Sequence, residues 1–292
     1  MISSERLAEL RLAATQVRLD CIKMVRSCRS GHPSASFSLA DILVALFHDH
    51  LTIRPDDPAW DDRDRFILSK GHGAPALYSL LSRTGYFDRA EQESLRRVDS
   101  RLQGHPDRLR TPGVDASTGS LGMGLSMGVG MAMAARLAGR GNRVYVVLGD
   151  GELDEGQVWE AMLAAAHLRL DNLVCIVDRN GTQCDGDTET VMALEPLAEK
   201  WAAFGWHVQE VDGHSLEELD EAIRTAQQAE GRPAVVIART VKGKGVSAIE
   251  GRSEVYGVLP DALFDEIETE LRDRIEEQAV DRGARSPIEA TR

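Results

Sequence analysis

Short, nearly unbroken apolar runs constrain this chain most: VYVVL at 144–148, NLVCIVD at 172–178, WHVQEV at 206–211 and PAVVIAR at 233–239. Between them lie helix-like stretches, GQVWEAMLAAAHLRL at 156–170, PLAEKWAAF at 196–204 and SLEELDEAIRTAQQA at 215–229. Continuous rather than alternating hydrophobicity marks strands covered on both faces. Strand, helix, strand at this spacing predicts an α/β fold with a doubly wound parallel sheet. Ligands of such sheets sit beyond the carboxyl ends of the strands. Gly149 to Gly151, DRNGTQ at 178–183 and RTVKGKG at 239–245 should therefore share one rim.

Upstream, Leu7, Leu10, Ala14, Val17, Cys21 and Met24 recur at spacings of three and four, predicting an amphipathic helix over 4–28. LADILVALFHDH at 39–50 reads as a second helix and RFILS at 65–69 as a short strand. No repeat or long linker divides the 292 residues, so residues 1–278 read as a single domain. Residues 279–292 lack apolar periodicity and read as a mobile tail.

The 34 basic residues are outnumbered by 47 acidic ones, giving a net charge of -13, and form no continuous stripe. Nucleic acid is thereby excluded as the main partner. Four cysteines without a CxxC pair fit a reducing compartment. The N-terminus has no apolar h-region, and no run reaches the ~18 apolar residues of a membrane span. A soluble, cytoplasmic protein is expected.

Asp150 stands between two glycines at the end of a buried strand, where a ligand can approach the backbone closely. A turn with Asp150 as helix N-cap explains that much. Asn180, however, ends the next strand 30 positions later, the separation filled by one crossover helix and one strand. The unit can bring a carboxylate and an amide oxygen to one point of the rim. Hard oxygen ligands suit Mg²⁺ or Ca²⁺, which commonly completes its shell with phosphate oxygens.

The motifs SGHPS, LSKGHG, LQGHPD, STGSLGMG, GDGELDEGQVWEA, VDRNGTQ and RTVKGKG occur in the order and spacing of the transketolase family. Over roughly residues 10–270 the chain resembles the N-terminal, diphosphate-binding half of a transketolase, as in transketolases split into two subunits. The resemblance implies the thiamine diphosphate-binding fold (PP domain) and transfer of a two-carbon ketol unit from a ketose to an aldose, both expected to be phosphorylated. It implies thiamine diphosphate with Mg²⁺ or Ca²⁺ held by Asp150, Asn180 and the carbonyl of Thr182. Gly151 and Lys242 would face the diphosphate, Gly119, Ser120, Leu121 and His72 the cofactor, and Glu155 a subunit interface. His32, His72 and His105 match histidines of the active-site channel, where imidazole can move protons near neutral pH.

The family's second domain supplies the glutamate that activates the aminopyrimidine, and no segment here corresponds to it. A companion C-terminal subunit, in an α2β2 assembly, is implied.

Departures point to an unusual substrate. Tyr256 replaces the histidine of the family's Trp-His-Gly, and a phenol with pKa ~10 is a poor proton shuttle at neutral pH. Ser34, Ala35 and Met123 also differ from common family residues. Met123, Met127 and Met131, four apart, read as helix core, and His48, His50, His167, His207 and His214 as surface or packing residues. Three alternatives remain at this level: acyl transfer from a 2-oxo acid on the same cofactor, a nucleotide-binding dehydrogenase, and a non-catalytic stabilising subunit. The dehydrogenase lacks the third glycine of the dinucleotide fingerprint.

Overall fold

A computed structural model describes residues 2–252 and 259–281. Helix α1 (Ser4–Cys28) begins at Ser3, whose hydroxyl accepts from the Arg6 N–H, and matches the span read from its periodicity. Helix α2 (Pro33–Ala45) continues into a π-helical turn, Leu46–His50. Strand β1 (Arg65–Leu68) leads through a 3₁₀ turn, Gly71–Gly73, into α3 (Ala74–Thr84). After a long loop come α4 (Met123–Leu137), β2 (Val144–Gly149), α5 (Gly156–His167) and β3 (Leu173–Arg179). A small hairpin, β4 (Thr182–Gln183) and β5 (Gly186–Asp187), precedes the short helices α6 (Thr188–Val191) and α7 (Leu197–Ala203). Then follow β6 (His207–Asp212), α8 (Leu216–Gln227), β7 (Ala234–Arg239) and α9 (Asp261–Asp281).

Five strands form one parallel sheet in the order β1-β2-β3-β7-β6. Helices cover both faces, as the apolar runs require. Tyr145, Val147, Val174, Ile176 and Val236 join a core with α1, α2, α3, α8 and α9, while Val146, Leu148, Cys175, Val177 and Ile237 join another with α4, α5 and α7. Strand β6 departs from the expectation of full coverage: it is an edge strand, and none of its residues is buried.

The methionine reading is corrected in part, although Met127 and Met131 do pack against the second core. Met123 is exposed and Met127 and Met131 only half-buried, whereas Gly124, Leu125, Gly128, Val129 and Ala132 form the buried face of α4. Glycine is needed there because a Cβ at Gly124 would lie 2.2 Å from Ser69 Oγ and one at Gly128 2.6 Å from a Val146 methyl. The C-terminal boundary also moves. Phe264, Ile267, Leu271, Ile275 and Ala279 form one buried face, so α9 continues to Asp281, three residues past the boundary drawn from the sequence. Residues 282–292 of the expected tail and Tyr256 lie outside the described residues. No helix among the described residues is long and apolar enough to cross a membrane.

Candidate active site

Register places the carboxyl ends of three strands side by side. Gly149 pairs with Asp178 and Arg179 with Arg239, so the segments after β2, β3 and β7 share one rim, as expected. There they open into a cleft of about 240 Å³. Its walls include His32, His72, Leu121, Asp150, Gly151, Asn180, Thr182 and Lys242, together with Ser34, Ala35 and Cys184. A wider surface depression of about 860 Å³, with Glu91, Arg97, Arg101 and Arg110 in its wall, shares no residue with this cleft.

Asp150 is buried and caps a 3₁₀ turn, its Oδ1 accepting from the Gly151 N–H at 2.9 Å. Its Oδ2 accepts from the Gly181 N–H at 2.6 Å, which fixes the carboxylate beside the Asn180 segment. The turn reading and the ligand reading thus describe the same residue. Asn180 Oδ1 accepts from the Thr182 N–H at 3.1 Å. Burial pushes the Asp150 carboxyl up, and the nearby Asp178 adds to the rise. The backbone at Gly151 is tightly hemmed, because a Cβ there would lie 2.6 Å from Gln183 Cβ.

Among the described residues no group of three or more His, Cys, Asp or Glu side chains is placed to hold a metal. The donors at hand are one carboxylate, one amide oxygen and backbone carbonyls. Such a set suits a hard cation that takes its remaining oxygens from water and phosphate, and not a site built from protein ligands alone.

Lys242 is buried in the lining of the same cleft, and burial followed by the charge of Lys70 lowers its pKa. His32 and His72 stand edge to face with ring centroids 5.6 Å apart. The glycines of their motifs serve turns: His32 precedes Pro33 at the start of α2, and His72 sits in the 3₁₀ turn before α3. Burial, then Lys70, lowers the His72 pKa to about 3, so its imidazole is neutral at physiological pH. His105 is exposed, yet its ring lies against Gly119, where a Cβ would approach it to 2.9 Å. Partial burial, then Arg96, lowers its pKa. Burial likewise lowers that of His32, again with Arg96 next. Ser120 is exposed beside Leu121, and Glu155 is exposed at the N-cap of α5 without a side-chain hydrogen bond there.

Several residues central to this geometry escaped the reading of the sequence. Lys70 and Asp178 form a buried ion pair at 2.6 Å, and Asp178 also accepts from Ser38 Oγ at 2.7 Å and from Thr240 Oγ1. Glu152, also buried, accepts from the N–H groups of Gly149 and Gly122 and from Ser69 Oγ, tying β2 to the entrance of α4. Arg179 reaches Asp150 Oδ2 at 3.2 Å, Thr188 Oγ1 at 2.6 Å and Glu189 at 2.7 Å, anchoring the hairpin segment to the rim. Charged residues at the ends of apolar strands, LSK and IVDR, were the available signal. His214 was also missed: its Nδ1 is 2.7 Å from Asp41 Oδ2.

The chain is thus an α/β domain whose parallel sheet carries an oxygen donor pair, a buried lysine and histidines near one rim. Residues 10–274 match the family described as "Transketolase, thiamine diphosphate binding domain", and the chain belongs to the transketolase family. It is 43% identical over 249 residues to a 6-deoxy-6-sulfo-D-fructose transketolase subunit of Clostridium sp. (strain MSTE9), covering 85% of this chain and 90% of that one. It is 40% identical over 268 residues to an apulose-4-phosphate transketolase subunit of Phocaeicola vulgatus, covering 91% and 95%. With human transketolase it shares 38% identity over 274 residues, 93% of this chain but 43% of the human one. Among solved structures, a transketolase variant from Pichia stipitis superposes with a TM-score of 0.84 at 31% identity, covering 94% of this chain and 44% of that one. The fold is therefore the thiamine diphosphate-binding fold, and the chain spans less than half of these longer transketolases.

Proposed function

We propose that this chain is the diphosphate-binding subunit of a two-component, thiamine diphosphate-dependent transketolase. The observation that carries the reading is the convergence of Asp150, Asn180 and Lys242 on one cleft at the rim of the sheet. Asp150, Asn180 and the Thr182 carbonyl would hold Mg²⁺ or Ca²⁺, and Lys242 would offset diphosphate charge. Gly151 would let the backbone approach the diphosphate, while Gly119, Ser120, Leu121 and His72 would border the rest of the cofactor. When bound, thiamine diphosphate supplies the nucleophilic carbon that takes the two-carbon ketol unit from a ketose and yields it to an aldose.

This chain's own residues orient the substrate and move protons. His72, neutral at working pH, acts by hydrogen bonding. His32 and His105, with pKa values held below the ordinary one, are available as neutral bases toward a substrate hydroxyl. Tyr256 would stand where a proton shuttle is usual, which favours a substrate other than the ordinary sugar-phosphate pair. The names of two relatives, which refer to 6-deoxy-6-sulfo-D-fructose and to apulose 4-phosphate, support a donor or acceptor that carries an anionic group and lies outside the ordinary sugar-phosphate pair.

A companion C-terminal subunit would supply the glutamate that activates the cofactor, in an α2β2 assembly within the cytoplasm. Glu155 and the exposed apolar side chains Met123, Leu137 and Leu163 on α4 and α5 offer a face for such contacts. Calorimetric titration of the reconstituted pair with thiamine diphosphate and Mg²⁺ should give binding that Asp150→Ala abolishes. Absence of binding by the unaltered pair would reject the reading.

A further inference from the structure

The loop that carries Lys242 is bound to the fold through both backbone and side-chain acceptors, Glu250 and Glu270 among the latter. The Thr240 N–H donates to Arg179 O at 3.0 Å, the Gly243 N–H to Ser34 O at 3.1 Å, and the Gly251 N–H to Lys242 O at 2.8 Å. The N–H of Val241 stands immediately before the lysine. It donates to a side chain, His214 Nε2, at 2.8 Å. An imidazole nitrogen that accepts an N–H carries no proton, so His214 is the neutral tautomer protonated at Nδ1. That proton points at Asp41 Oδ2, 2.7 Å away.

Asp41 is itself buried and held by Arg18, which also donates to Phe37 O at 3.2 Å. His214 is fixed from its own side too. Its N–H donates to Asp212 Oδ1 at 2.8 Å, and the Gly213 N–H donates to Arg239 O at 2.7 Å. A relay therefore runs from α1 (Arg18) through α2 (Asp41) and the β6–α8 loop (His214) to the peptide that sets the direction of Lys242. The aspartate selects the imidazole tautomer, and only that tautomer can receive the Val241 N–H.

We propose that His214 is a positioning residue for the diphosphate site. Its Nε2 holds the Val241 peptide in the orientation that delivers the Lys242 ammonium to the cleft. The proposal rests on the reading of the cleft as a thiamine diphosphate site, and goes beyond it by assigning a residue that never touches the cofactor.

Three replacements separate positioning from mere packing. Glutamine can place an amide oxygen near the former Nε2, asparagine keeps a donor toward Asp41 but reaches no further, and alanine keeps neither. In the full chain, native-state amide exchange should find Val241 protected in the unaltered protein and in His214→Gln, and exposed in His214→Asn and His214→Ala. Nitrogen chemical shifts of His214 should report a proton on Nδ1. In the reconstituted pair with Mg²⁺, His214→Asn and His214→Ala should weaken thiamine diphosphate binding about tenfold, or ~1.4 kcal/mol. His214→Gln should stay within about threefold of the unaltered protein. Equal binding by all three variants, or a glutamine no better than asparagine, would overturn the proposal. Failure of the unaltered pair to bind the cofactor would instead overturn the functional reading beneath it.

Discussion

Asp150 and Asp178 end neighbouring strands and are equally hidden, at 1% and 0% exposure, yet the fold treats them in opposite ways. Asp178 receives the Lys70 ammonium and the hydroxyls of Ser38 and Thr240. Burial alone would raise its pKa, but Lys70 and these hydrogen bonds outweigh burial and the carboxyl is lowered. Asp150 accepts two backbone N–H groups and shares Arg179 with Thr188, Glu189 and Glu195. Burial, reinforced by Asp178, wins there, and the carboxyl is raised. One aspartate is completed by the protein, while the other keeps a charge that its surroundings disfavour.

The largest expected effect tests the completed one. Asp178→Asn leaves the Lys70 ammonium buried without its counter-charge and should cost about 3–5 kcal/mol in chemical denaturation. The double replacement Lys70→Met with Asp178→Leu should recover most of that loss, because neither buried charge remains. A loss below about 1 kcal/mol for the single variant would erase the distinction between the two aspartates. The sign with pH follows from the lowered pKa. The stabilisation by Asp178 is complete above its unfolded value, ~3.9, and is lost as pH falls through the lower folded one.

Asp150→Asn sharpens the comparison from the other side. Removing a charge that burial disfavours should leave stability within about 1 kcal/mol of the unaltered protein. The same change should weaken Mg²⁺-dependent binding of thiamine diphosphate by about 100-fold or more, ~2.7 kcal/mol, in the reconstituted pair. A variant that unfolds like Asp178→Asn but still binds the cofactor would reverse the two roles. Acid acts oppositely too: with a raised pKa, the charge of Asp150 costs stability above that pKa and the cost disappears as pH falls.

What the sequence made legible follows from the range of the forces involved. The rim was readable because β2, β3 and β7 are continuous apolar runs whose ends carry Gly149, Asp178 and Arg239, and parallel pairing aligns those ends. Helix α1 was readable because its periodicity is local. The ion pair of Asp178 was not legible because its partners, Ser38, Lys70 and Thr240, lie between 62 and 140 positions away. His214 was set aside for the same reason, since Asp41 is 173 positions distant. The methionine stripe misled because a hydropathy pattern cannot register that glycine, the smallest residue, makes the closer contact with a strand.

The smallest effect lies outside both aspartates, on His32 and His105. Arg96 is exposed and adopts a left-handed backbone, φ 62°, which places its guanidinium against Gly104, next to His105. After burial it is the leading cause lowering the pKa of both His105 and His32. Arg96→Ala should therefore raise both values in NMR titrations of the ring protons. Because Arg96 faces water, the rise should be modest and should shrink further as salt is added. An imidazole that must be neutral to accept a proton then becomes competent only at higher pH, so the acid limb of kcat/KM should move upward. Arg96→Lys, keeping the charge, should leave that limb close to its original position. Histidine titrations unchanged in Arg96→Ala would mean that burial alone lowers both values.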